Sequence, residues 1–475
     1  MSKLPTASEF GNLLKLSLPL AFGQMGTIAI GLTDNLMLGR LGPNALGAAG
    51  LAWSIYGIIV TMGMGLLFPT VVLASRARGS GRLRAVPKIV RQGLWIAGIL
   101  SVPICATLWN LEKILLVTGQ IPELARMAGH YMDYFLWTVF PAFTFGVFMF
   151  AFTVMDRART VAIIIWFAAG LNAILNYALI FGNLGFPAMG MAGAGLASVI
   201  VYAFTHTVLF TLLAFHRFFK SASLFRRAWR PKWPILGQFL RLGWPKSLEL
   251  LVINGLFSVT ALLVGKLGVQ AIAAHTIAFE IAVVVHLGSL AIADAITARM
   301  GIISGRGDHA GMWRVLNSGF LLLFLFILPP MVILELFSPW AVMLFVGAGS
   351  EARTLLPIAA PVVTLVAFFI PADGLRLVVN HALNGLADMK ISALIAAIAY
   401  WGVALPVGVL LGFVMELGVL GLWWGLIIGM GVAGAAYLAR FQWVVRNFQM
   451  HREQSDCLPA YNFNRPTQSR CRFPR

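Results

Sequence analysis

The sequence predicts an all-α polytopic membrane protein whose twelve transmembrane helices form two parallel six-helix repeats. Three observations carry that reading. First, the 475 residues are 59% hydrophobic and only 11% charged, with a mean hydropathy of +0.86; a soluble domain carries about 25% charged residues. Second, twelve separate stretches reach the roughly 20 apolar residues that a membrane-crossing helix requires. Third, the last six stretches repeat landmarks of the first six at a nearly constant offset. The net charge of +18 and pI near 10.5 do not point to nucleic acid. A basic binder needs a solvated face, and most of this chain has none.

Taken in order, the first span lies near 14–37. Its apolar run from Leu16 to Leu38 is too long for a cleavable signal and lacks a small-residue exit, so it is expected to remain a membrane helix. Spans near 46–73, 93–111, 131–152, 160–182 and 189–214 complete an N-terminal lobe over 1–214. The longest polar interruption follows, from Phe215 to Gln238, with Arg217, Lys220, Arg226, Arg227, Arg230 and Lys232. It reads as a basic cytoplasmic linker over 215–236. Spans near 237–264, 271–298, 316–340, 355–384, 391–412 and 418–440 build a C-terminal lobe over 237–446. Residues 447–475 are polar and are expected to form a disordered cytoplasmic tail. Of the three cysteines, Cys105 lies in an apolar segment and Cys457 and Cys471 in this tail, with no CxxC and no disulfide framework.

The halves read as copies. Pro19, Gly39, Gly42 and Ala45 match Pro245, Gly265, Gly268 and Ala271 at an offset of 226. Ser80-Gly81-Arg82 matches Ser304-Gly305-Arg306 at 224, Pro141 matches Pro371 at 230, and Gly190 and Gly193 match Gly418 and Gly421 at 228. Six spans per half is an even number, so both halves enter the membrane with the same orientation. Parallel repeats related by an axis along the membrane normal are typical of secondary transporters. With the N-terminus inside, cytoplasmic segments hold 28 Lys and Arg against five in the outer loops. The positive-inside rule then places both termini in the cytoplasm.

Five acids fall well within spans: Asp34, Glu249, Glu280, Asp294 and Asp373. A mid-bilayer charge costs roughly 2.5–3.5 kcal/mol, so five facing lipid would cost on the order of 12–17 kcal/mol. They are expected to face an interior or a hydrated cavity. Asp34 shares a helical face with Gly31, Thr27 and Gly23, a small and polar stripe suited to a protein neighbour. Glu249 lies on the corresponding stripe of span 7. Asp373 shares its face with Arg376, Asn380 and Asn384, which reads as a wet wall, the alternative being a structural Asp373–Arg376 ion pair one turn long. Glu280 has no local cation and suits a protonatable role. Asp294 lies near the cytoplasmic end of its span and reads as structural. His275 and His286 read as groups hydrogen-bonded to neighbouring helices rather than catalytic ones, and His275 with Glu280 does not form HExxH. Acids in a cavity can bind Na⁺ or H⁺ and can attract a cationic substrate. When one site does both, the two exclude each other, which is the physics of antiport. A 12% aromatic content and 19 Met suit a tolerant apolar pocket.

These residues resemble the multidrug and toxic compound extrusion (MATE) transporters, in particular the bacterial NorM-like branch. The likeness runs from about Leu13 to about Arg446. It rests on Leu16-x-x-Pro19 with Gly31-Leu-Thr-Asp34 and Gly39-Arg40-Leu41-Gly42, and on Leu171-Asn172-x-x-Leu175-Asn176-Tyr177 through Ile180-Phe181-Gly182. Gly185-x-Pro187-x-x-Gly190-x-x-Gly193-Ala194, Gly243-x-Pro245, Ala273-Ala274-His275 and Asp373 with Leu383-Asn384-Gly385 add to it.

The resemblance implies a V-shaped pair of six-helix lobes in the bacterial cytoplasmic (inner) membrane. It implies a monomer among membrane lipids that exports cationic or amphipathic drugs and toxic organic compounds by alternating access, in exchange for Na⁺ or H⁺. No cofactor, enzyme activity or nucleic acid is implied. By position, Asp34 matches the family's span 1 acid, Asp373 its span 10 cation-site acid, and Asn172 and Asn176 its polar span 5 positions. Substrate-lining positions are then Asp34, Asn172, Asn176, Arg376, Asn380 and Asn384. Where NorM-like members usually carry a span 7 glutamate this sequence has Ile253, and Glu249 stands about 6 Å away along the helix. Glu280 stands where the family often has Asn. The expectation is that Glu249 and Glu280 rebuild a cation site with Asp373, able to take Na⁺. The alternative function is a lipid-linked precursor flippase of the same broad superfamily.

Overall fold

The computed structural model describes residues 4–215, 230–347 and 349–457. Among them, twelve helices are long and apolar enough to cross a membrane, and there is no strand. Spans 1 to 6 are Ala7–Gly39, Pro43–Gly79, Leu83–Trp109, Pro122–Val154, Ala158–Phe181 and Met191–Phe215. Spans 7 to 12 are Trp233–Gly265, Val269–Arg306, His309–Val346, Thr354–Gly385, Met389–Val414 and Gly418–Phe448. Helices satisfy their own backbone groups, which is what allows a chain to cross hydrocarbon at all. Each of the twelve expected stretches is a helix, and most extend several residues further at their ends. The last helix continues to Cys457, past the point where the sequence suggests a disordered tail. Residues 216–229, with most of the basic linker, and 458–475 of the tail lie outside the described residues.

Local chemistry sets the ends. Thr6 accepts from the Glu9 amide at 3.3 Å and Asp308 from the Gly311 amide at 2.9 Å, capping spans 1 and 9. Spans 5 and 8 stop at Gly182 and Gly307, whose φ values of +74° and +70° favour glycine.

The helix packing repeats as the sequence does. Span 1 packs on span 5, and span 7 on span 11. Spans 2, 3 and 6 pack around span 4, and spans 8, 9 and 12 around span 10. Small residues let spans 11 and 12 approach closely: a Cβ added to Gly421, Gly425 or Gly429 of span 12 would meet Gly412, Gly408 or Ala404 of span 11. That is a stripe of small residues at four-residue spacing, seated on another helix. Span 11 widens into two π-helical stretches, Ile398–Ala404 and Leu410–Val414, a distortion that often aims a side chain at a site.

The lobes meet through span 1 on span 8 and span 2 on span 7. Ser247 donates to the Met62 carbonyl at 2.6 Å near mid-span. Towards the face bearing the chain termini, a Cβ at Gly79, Gly301 or Gly305 would overlap Ile302, Ser75 or Arg76 of the facing lobe. Arg76 donates to the Leu386 carbonyl at 2.7 Å. Arg299 donates to both carboxylate oxygens of Glu9 at 2.9 and 2.8 Å. The end of the linker is held by Gln92, which accepts from the Lys232 amide at 2.7 Å and donates to the Arg230 carbonyl at 3.2 Å.

Candidate functional site

In the first lobe, the face of span 1 that carries Gly23 and Thr27 turns Asp34 inward, where it is buried. Asn172 and Asn176, one turn apart on span 5, both donate to Asp34 Oδ1, at 3.0 and 2.5 Å. Asn176 also donates to Asn172 Oδ1 at 3.2 Å. No ion pair to Asp34 occurs among the described residues, so its partners are neutral amides. Asn176 Oδ1 is buried and has no hydrogen-bond partner. One to two turns along span 1 lies a cavity of about 190 Å³. Thr27 and Ile30 of span 1, Ile165 and Ala168 of span 5, and Tyr202 and Thr205 of span 6 form part of its wall. A neighbouring cavity of about 180 Å³ shares Thr27, Met64, Phe145 and Ile165 and reaches Pro19 and Met149. The helices clamped at Asp34 are therefore also walls of the cavity.

In the second lobe, Asp373 and Glu249 carry their own cations. Arg376 Nε donates to Asp373 Oδ1 at 3.1 Å, and its Nη2 makes a shorter contact to the same oxygen. Arg376 Nη1 donates to the Tyr400 hydroxyl at 3.0 Å, and Tyr400 sits in the first π-helical stretch of span 11. His286 Nδ1 lies 2.6 Å from Asp373 Oδ2. On span 7, Lys246 donates to Glu249 Oε1 at 2.9 Å and to Asn380 Oδ1 at 3.4 Å. Asn384 donates to Asn380 Oδ1 at 3.0 Å. Asp294 lies 3.5 Å from His381 Nδ1, and Thr297 donates to the His381 carbonyl at 3.0 Å.

The structure brings Asp34, Asn172 and Asn176 into one cluster, and Asp373 with Arg376 into another. Glu249 joins Asn380 and Asn384. Glu280 joins none of these: its side chain is exposed. Among the described residues there is no group of three or more His, Cys, Asp or Glu able to hold a metal ion. The structure therefore does not bring Glu280 together with Asp373 and Glu249. The physical reason is rotation about span 8: His286 faces Asp373, while Glu280, six residues earlier, points elsewhere. His286 bonds to a neighbouring helix, as the sequence suggests, and its partner there is Asp373. His275 packs against Phe279 and Trp423, with Nδ1 unpartnered. Sequence reasoning missed Lys246 as the partner of Glu249. The signal was present, because the two are three residues apart, as are Asp373 and Arg376. Tyr400 left no such signal.

Two repeated six-helix lobes, closed on each other at one face and each holding buried ionisable groups, define a membrane transporter. Comparison with known proteins narrows the class. The family model described as MatE matches residues 19–178 and 245–410. The probable multidrug resistance protein NorM of Mesorhizobium japonicum is 34% identical over 431 residues, covering 90% of this chain and 92% of that protein. The protein of the same name from Bradyrhizobium diazoefficiens is 34% identical over 440 residues, covering 93% and 94%. Among solved structures, a MATE protein in complex with MaL6 superposes with a TM-score of 0.85 at 20% identity, covering 93% of this chain and 97% of that one. The chain belongs to the MATE family of multidrug efflux transporters.

Proposed function

We propose that this chain exports organic cations and amphipathic drugs from the bacterial cytoplasm in exchange for protons, with Asp34 as the coupling carboxylate. It acts as a monomer in the cytoplasmic membrane with both termini inside, in keeping with the 28 to five distribution of Lys and Arg. The observation that carries the reading is the contrast between lobes. Asp373 and Glu249 are compensated by Arg376 and Lys246, whereas Asp34 is buried among neutral amides. A buried acid without a counter-charge gains most from taking up a proton.

The cluster serves both protonation states. Two amide N–H groups stabilise the carboxylate, and the unpartnered Asn176 Oδ1 can accept from the O–H of the neutral acid. Protonation removes the charge that draws Asn172 and Asn176 to span 1, which loosens the clamp between spans 1 and 5. Those helices line the cavity, so loading a proton reshapes the drug's walls. Residues such as Met64, Met149, Phe145 and Tyr202 offer a polarisable apolar lining that suits many flat cations. A flippase of pyrophosphate-linked lipids gains no support, because Lys246 and Arg376 each already bind a carboxylate.

The test is efflux of a fluorescent cationic dye from vesicles, with pH and Na⁺ gradients imposed separately. Wild type is expected to respond to the pH gradient alone. D34N is expected to fall to the level of vesicles without transporter while still reaching the membrane. A wild type driven only by Na⁺, or an active D34N, would overturn the reading.

A further inference from the structure

The second lobe contains a set of buried oxygen groups, two of which hold Lys246. Glu249, Asn380 and Asn384 are buried, at 5%, 1% and 0% exposure. Glu249 Oε1 and Asn380 Oδ1 both accept from Lys246 Nζ. Glu249 Oε2 and Asn384 Oδ1 are buried acceptors without partners. On its remaining side the ammonium lies 5.2 Å from the centre of the Phe68 ring, which belongs to the other lobe. A carboxylate and amide oxygens are the hard ligands that alkali and alkaline-earth cations take. Here the lobe supplies the cation from its own chain.

We infer that Lys246 is a tethered ammonium that occupies the second lobe's oxygen site and excludes free Na⁺ from it, so that Lys246 sets which ion this transporter ignores. Lysine suits the role because its charge is a compact point at the end of a flexible stem, close in kind to a monovalent metal ion. The inference extends the reading of the chain as a proton-driven exporter, and its test reads ion binding rather than transport. It can therefore fail while D34N behaves as expected, and the reverse.

The experiment uses the full-length protein in detergent. Unfolding midpoints are measured in NaCl, KCl and choline chloride at equal ionic strength for wild type, K246A and K246A/E249Q. Wild type is expected to show no difference between Na⁺ and K⁺. K246A is expected to be less stable and to gain a saturable, Na⁺-selective upward shift, which E249Q in the double variant abolishes. A merely structural lysine would leave K246A equally weakened in all three salts, and that result overturns the inference. So does a saturable, Na⁺-selective shift in wild type. Binding of ²²Na⁺ to membranes carrying each variant repeats the test without purification. There, K246A must bind more than wild type, and equal binding overturns the inference.

Discussion

Glu249 and Asp373 are held by the same device: a cation three residues away on the same helix, with the charge order reversed between the two. At that spacing the side chains are neighbours on one face, and in a membrane interior each partner removes the other's reason to seek water. Breaking such a pair is costly because it strands a buried charge, roughly 3–5 kcal/mol, whereas removing both charges can be nearly neutral. R376Q is therefore expected to lower the unfolding midpoint markedly, although His286 still touches Asp373. D373N/R376Q is expected to recover much of the loss. Thermal unfolding in detergent checks this, and strictly additive losses would show that the two residues do not act as a pair. Both i, i+3 pairs were legible in the sequence once charge spacing is read along a helix. The approach of His286 to Asp373, 87 positions apart, was not, because it depends on how spans 8 and 10 rotate against each other.

At the scale of the element, spans 11 and 12 show how a glycine stripe substitutes for a hydrophobic driving force. Lipid is as apolar as leucine, so helices associate where small residues let backbones approach. Gly421, Gly425 and Gly429 do this against Gly412, Gly408 and Ala404. The π-helical first stretch of span 11 carries Tyr400 to Arg376. G425V places its side chain against the Gly408 backbone and is expected to cost about 1–3 kcal/mol, the usual range for overpacking, and to disturb the Arg376–Tyr400 contact. A lowered unfolding midpoint, with G431V as control because nothing lies within 4 Å of a Cβ there, checks it. The number, order and approximate limits of the twelve spans were legible, since hydropathy and length are local properties. The π-helical widening was not, because it is a compromise between span 11 and what packs on it.

For the whole molecule, the exchange proposed above requires the closed face to open. The seam there seats Gly79 and Gly305 on the facing backbone and Gly301 on the Ser75 side chain, and ends in the Glu9–Arg299 pair. That pair's side chains keep only 11% and 15% of their surface exposed, so it is a contact that opening at this face has to break. E9R and R299E are each expected to shift the population towards opening at this face and closing at the other. E9R/R299E is expected to restore the starting balance. Spin labels at Arg40 and Lys266, equivalent positions on the opposite face, measure it as a shorter distance in the single variants. An unchanged distance in both would remove the pair from the gate.

The sequence by itself determined the membrane class, the twelve spans, the duplicated halves and the five acids that a bilayer would not tolerate on its surface. These follow from composition, periodicity and the cost of burying charge, all of which are properties of the chain before it packs. Tertiary structure decided which acids are free. It placed Lys246 on Glu249 and Arg376 with His286 on Asp373, left Glu280 exposed, and left Asp34 to two asparagines of span 5. Those outcomes depend on helix rotation and on which side chain arrives at a carboxylate, and only the packed molecule specifies either.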